Sequence, residues 1–168
     1  MFQSLIVALV LSRLDYCSSV LFGLPAYLIQ RLQSVQNAAA WLTFRIRKSE
    51  HISPALISLH WLRVPERISF KLAVLTYRSI HGTSPSYLQS CFTRVSDITS
   101  RRRLRSSTSH RMDVPPVRLS TVGRRAFPVS GATVWNDLPL HVASAPSLAV
   151  FRRLETFLFS RSYQDTII

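Results

Sequence analysis

The chain has little acid. Eight Asp and Glu side chains stand against 21 Lys and Arg, for a formal net charge of +13. The acids are also dispersed: no two are adjacent, and none pair at i, i+3 or i+4. This excludes the clustered carboxylates with which polymerases and nucleases hold two metal ions. Phosphate-cradling GxxxxGK[ST] and GxGxxG loops are missing, as is a GxSxG nucleophile turn. Cysteine is scarce. Cys17 and Cys91 are far apart, with no CxxC, so no zinc site is expected. His51, His60, His81, His110 and His141 show no ligand spacing. Both cysteines lie beside apolar residues and read as small buried hydrophobes, in a reduced intracellular compartment, nucleus or cytoplasm. The continuous apolar run Leu5 to Leu11 falls far short of the roughly 17–25 residues that span a bilayer. No basic segment precedes it and no small-residue cleavage site follows. It reads as a buried helix, so neither secretion nor membrane insertion is expected. Together these absences argue against an enzyme complete in this chain. They predict no cofactor, no metal and no small-molecule substrate.

What is present is apolar periodicity and arginine. A chain of 168 residues fits one domain, or one with an appendage, and can bury roughly 70% of its unfolded surface. The organising stretch is Pro25 to Phe44. Leu28, Leu32, Val35, Ala39 and Leu42 recur at alternating steps of four and three, which places them on one helical face. Gln30, Arg31, Gln33, Ser34 and Asn37 lie off it. Such a helix buries its stripe only against partners, which predicts a bundle. Residues 3–20 read as one preceding helical block. Trp61 and Leu62 read as a core plug in a turn. Pro65 and Glu66 open a helix that runs to about Ile80 and stops at Gly82. Its apolar residues leave little polar surface, so it is expected to be central.

The one hydrophilic stripe on that central helix carries Arg67, Lys71 and Arg78, within about 40° of each other at 100° per residue. It reads either as a solvated face or as a row of cations along a nucleic-acid backbone. A second cluster, Arg45, Arg47 and Lys48, follows the organising helix and either caps its dipole or meets phosphate. A third, Arg101, Arg102, Arg103 and Arg105, centres a serine- and arginine-rich stretch from Thr93 to Ser109. Only Lys48 and Lys71 are lysine, and arginine's planar fork donates two hydrogen bonds to one phosphate. A polyanion partner is the simplest reading of this balance; a fragment whose acidic partner lies elsewhere is the other.

The expected organisation is a helical bundle over 1–92, an Arg/Ser/Pro-rich arm over 93–123, a C-terminal helical segment over 124–161 and a tail over 162–168. Pro115-Pro116 keeps its surroundings extended, and one short hairpin between about 104–106 and 117–121 is admitted. Leu138-Pro139 ends any helix there, and Ser147 reads as the N-cap of a last helix with Leu148, Phe151, Leu154 and Leu158 as its stripe. The fold class is mainly α.

The order of segments carries a resemblance. Ser12-Arg13-Leu14-Asp15-Tyr16-Cys17 precedes Leu21-Phe22-Gly23-Leu24-Pro25. Then come Leu32 to Ala40 (LQSVQNAAA) and Leu59 to Lys71 (LHWLRVPERISFK), followed by Tyr77 to Gly82 and Pro85-Ser86-Tyr87-Leu88. Arg103 to Ser107, Trp135-Asn136-Asp137-Leu138-Pro139 and Pro146 to Phe159 complete the series. It closely resembles the C-terminal region of the reverse transcriptase of non-LTR (LINE-type, jockey-like) retrotransposons, over about residues 4 to 160. Each motif alone is weak, and their shared order is specific. The resemblance implies a thumb and the region beyond it: a helical body that holds an RNA–DNA template–primer duplex against an upstream palm and fingers. The family's paired-aspartate motif is missing, so no catalytic residue is carried over. Trp41 departs from the basic side chain that often follows the alanine run in related sequences. Met1 begins just after the palm would have ended, so a truncated reading frame or relic copy with no selected activity is one expectation. A helical protein–protein interaction module is another. The candidate nucleic-acid contacts remain Arg45, Arg47, Lys48, Arg67, Lys71, Arg78, Arg101, Arg102, Arg103 and Arg105.

Overall fold

The computed structural model describes residues 2–47, 50–98 and 110–164, and these are mainly α-helical. Four helices among them reach ten residues or more: α1 (Ala26–Phe44), α2 (Val64–Ile80), α3 (Phe127–Asn136) and α4 (Arg153–Ser162). Shorter helical turns connect them.

Helix α2 is the centre, as its composition dictates. Pro65 sits in its first turn with Glu66, and Gly82 leaves it with a positive φ of 70°. Ile68, Leu72, Ala73 and Tyr77 enter one core with Ala132 and Trp135 of α3 and with Phe151, Leu154 and Leu158. Residues 124–161 therefore share the core of the central helix. Gly131 lets α3 cross α2 closely: a Cβ there would stand 2.7 Å from both Thr76 Oγ1 and Phe92 Cζ. A second cluster joins Ile6, Leu11, Ala39, Ala40, Leu56, Trp61 and Tyr163. Phe159 packs against both clusters. Trp61 and Leu62 are buried as the sequence suggests.

Helix α1 begins and ends as expected, but its buried face is rotated. Val35 is 48% exposed and Leu42 60%, whereas Gln36 is 0% exposed beside buried Ala39 and Ala40. The reason is hydrogen bonding. Gln36 Nε2 donates to the Leu62 carbonyl at 2.8 Å, and Gln33 Oε1 accepts from the Val64 N–H at 2.8 Å. Val64 is the first residue of α2, whose amide has no partner inside its own helix. Two glutamines of one helix thus complete the start of the next, and burial of their amides is compensated.

The N-terminal block is not one helix. Phe2–Ile6 continues as a π-helix over Val7–Leu11 and as Ser12–Leu14, then breaks before Ser18–Leu21. The break is at Cys17, which adopts a left-handed φ of 57°. That geometry turns Cys17 to the surface, and Cys91 is only half-buried, so neither is the buried hydrophobe expected. The Leu5 to Leu11 run is also only half covered. Ile6 and Leu11 are buried, but Leu5 is 55% and Leu9 62% exposed, because neighbours lie on one side of the run only.

Ser147 caps as expected, its Oγ accepting from the Val150 N–H at 3.3 Å, but the last helix divides into Leu148–Phe151 and α4, which runs to Ser162. No hairpin forms among the described residues. Residues 104–106 lie outside them, and Ser120–Gly123 is a helical turn. Among the described residues, strand-like pairing is confined to an antiparallel bridge between Arg94 and Met112.

Candidate nucleic-acid interface

The stripe on α2 is a real row, but two of its cations are already engaged. Asp15, on the turn that breaks the N-terminal block, accepts a bidentate pair of hydrogen bonds from Arg67, through Nε and through Nη2 (2.9 Å to Oδ2). Lys71 Nζ lies 3.1 Å from the same Oδ2. The planar guanidinium matches both carboxylate oxygens, which is the geometry arginine provides. One acid between two bases leaves this cluster at +1.

Burial alone would push the Asp15 carboxyl up; the hydrogen bond and charge of Arg67, then those of Lys71, outweigh it and hold it below its ordinary 3.8. A carboxyl depressed by folding stabilises the fold above its ordinary value and loses that contribution as pH falls through the lower, folded one. Asp15→Asn should therefore destabilise the protein by about 1–2 kcal/mol at neutral pH, since part-buried Arg67 loses both its hydrogen bonds and exposed Lys71 loses its partner. Denaturant titration checks it. The gap between wild type and variant should close once pH drops below 3.8; an equal gap at lower pH would show that the ion pair is not its source.

Beyond the ion pair, Lys71 and Arg78 line a groove of about 400 Å³ between α2 and the turn at Cys17, Ser18 and Ser19. Val74 and Leu75 form its apolar floor. Arg78 is exposed, and no carboxylate pairs with it among the described residues. The Asp15 carboxylate also lines the groove and holds Lys71, so Arg78 is the cation there that an anionic backbone meets unpaired, with the hydroxyls of Ser18 and Ser19 opposite.

The other candidates are elsewhere. Arg45 ends α1 in a left-handed conformation, φ 53°, and Arg47 donates its backbone N–H to Glu50 Oε1 at 3.1 Å. Both are exposed beside a separate apolar groove lined by Phe44, Ile46, Glu50 and His51. Neither lines the groove of Lys71 and Arg78. Lys48, Arg101, Arg102, Arg103 and Arg105 lie outside the described residues.

What the structure does supply is the pairing of the residues that flank the arginine-rich segment. The Val95 N–H donates to the Arg111 carbonyl at 3.0 Å, and the Asp113 N–H to the Thr93 carbonyl at 2.9 Å. Asn136 grips Met112 twice, its Oδ1 accepting from the Met112 N–H at 2.8 Å and its Nδ2 donating to the carbonyl at 2.9 Å. Trp135 Nε1 donates to the His110 carbonyl at 2.7 Å. Residues 93–95 and 110–113 are thus held side by side, the latter against α3. The sequence reading gives Trp135-Asn136 no role beyond a motif of the resemblance, with the helix end placed at Leu138-Pro139. An Asn followed by Asp137-Leu138-Pro139 at a helix terminus was the available signal that its amide is spare for another chain segment.

Comparison with protein-family models, with curated proteins and with solved structures finds no match to this chain. Among the described residues no helix is long and apolar enough to cross a membrane, and no group of three or more His, Cys, Asp or Glu could hold a metal ion.

Proposed function

We propose that the chain is a non-catalytic C-terminal part of a non-LTR retrotransposon RNA-directed DNA polymerase that grips the RNA–DNA template–primer backbone. The observation that carries this reading is the groove lined by Lys71 and Arg78 on the central helix. It is supported by the net charge of +13, the order of the sequence motifs and a mainly helical fold. Contacts of this kind read backbone and duplex shape, not bases. The partners are an RNA–DNA hybrid and the upstream palm and fingers of a parent polymerase; the chain performs no chemistry itself.

A second reading has its own observation. Leu5 and Leu9 leave an exposed apolar strip on the N-terminal helix, as an interaction module would. Gel-shift titration with an RNA–DNA hybrid at several salt concentrations separates the two. The grip predicts a retarded complex whose affinity falls at least tenfold between about 50 and 200 mM salt, as displaced counterions require. Absence of a complex at low salt, with self-association in sedimentation, would favour the interaction module.

A further inference from the structure

A pocket of about 220 Å³ opens beside Arg94 and His110, between the end of α2 and the turn at Ser144 and Ala145. Its lining includes Arg94, His81, His110 and the Ser144 side chain, over apolar walls from Met112 and Trp135. No carboxylate lines it. Asp97 lines the adjoining recess on the other side of Arg94, and Arg111 and Asp113 neighbour Met112 in the chain without lining the pocket. We propose that this pocket binds a phosphate monoester, the phosphorylated end of a nucleic-acid strand.

Donors here are positioned by buried groups. His81 Nδ1 lies 2.9 Å from the Tyr77 carbonyl, so that nitrogen carries the hydrogen and donates. The ring also stacks on Tyr77, with centroids 3.9 Å apart. Nε2 is left for a ligand and donates only when the ring is an imidazolium. The Trp135 indole fixes the main chain of His110 at 2.7 Å. The Arg94 main chain is held by its bridge to Met112, and its exposed side chain lines the pocket. A ring held as that of His81 is binds an anion without first losing its own freedom. A monoester fits better than a diester on two grounds. A recess with an apolar floor takes a chain end, not a strand running through, and a dianion calls for several cationic donors. A nucleic acid is favoured over a phosphopeptide because the chain carries a net charge of +13, which the continuing negative charge of a polynucleotide meets.

The test uses the full chain and a short labelled oligodeoxynucleotide ending in 5′-phosphate or 5′-hydroxyl, read by fluorescence anisotropy. The phosphorylated end should bind ~tenfold tighter at a pH of about 6.5, as one charge-assisted contact implies. Arg94→Ala and His110→Gln should remove it, while Arg94→Lys keeps part. All of these side chains are exposed, so the variants keep the fold. Inorganic phosphate that erases the preference and leaves the hydroxyl-ended strand bound supports the same site with free phosphate as its occupant. No end preference, a preference unchanged in both Arg94→Ala and His110→Gln, or tighter binding of a phosphoserine peptide would overturn the proposal. The pocket is separate from the groove on α2: reversing Lys71 and Arg78 should lower overall affinity and spare the end preference, so the two readings fail separately.

Discussion

Gly131→Leu should unfold the protein or cost it at least about 3 kcal/mol, because α3 crosses α2 with no room for a side chain at that point. Even a lone Cβ there would meet Thr76 Oγ1 and Phe92 Cζ at 2.7 Å, closer than real Cβ contacts come. Thr76 is fully buried on α2 and cannot swing away. Gly131→Ala gains up to about 1 kcal/mol of helix propensity, yet the contact should outweigh it and leave a net loss of about 1–2 kcal/mol. Gly23→Ala is the control. It has a positive φ of 70° but nothing within 4 Å, so only backbone strain of about 1 kcal/mol is expected. Thermal melts of the three variants rank them. Combining Thr76→Ala with Gly131→Ala should recover part of the loss. An alanine at 131 that costs no more than the one at 23 would mean that the crossing is looser than described.

Asn136→Leu should cost about 2–5 kcal/mol. The substitution keeps the number and branching of side-chain heavy atoms and removes both hydrogen bonds to Met112, leaving its N–H and carbonyl without their partner. Met112 is buried, so water does not replace that partner, and each orphaned group costs about 1–3 kcal/mol. Hydrogen exchange gives the sharper readout. The Val95 and Asp113 amides pair the residues that flank the arginine-rich segment and should exchange far faster in the variant, while α2 amides change only with global stability. Equal acceleration everywhere would make Asn136 a general core residue and not the pin of that pairing.

These residues show where the sequence was legible. Helix α2 could be read almost to the residue, since Pro65, Glu66 and Gly82 punctuate it and its apolar side chains leave one polar stripe. The ends of α1 were readable too, but its buried face was not. Periodicity assumes that apolar positions point inward, and here Gln36 does, because its partner is the Leu62 carbonyl, 26 residues on. The break at Cys17 carries no local signal, since a left-handed cysteine is not what turn chemistry predicts. The ion pair of Asp15 with Arg67 joins residues 52 apart, which no spacing rule can see. The cationic stripe was therefore legible as a stripe. Which of its members are spare for a ligand depended on the opposite wall, and that came only with the fold. Arg45 and Arg47 stayed near each other but away from this groove, because α1 ends at a different corner of the bundle.

The account rests on cations concentrated in a groove, and not on a basic surface in general. Matched charge reversals test this directly. Lys71→Glu with Arg78→Glu changes the groove, while Arg152→Glu with Arg153→Glu makes the same change of net charge at exposed positions beside α4. Affinity for an RNA–DNA hybrid, measured across a salt series, should fall more than about tenfold in the groove variant, with a shallower salt slope, and stay within about twofold in the other. Equal losses in the two variants would contradict the grip and leave only a uniformly basic coat.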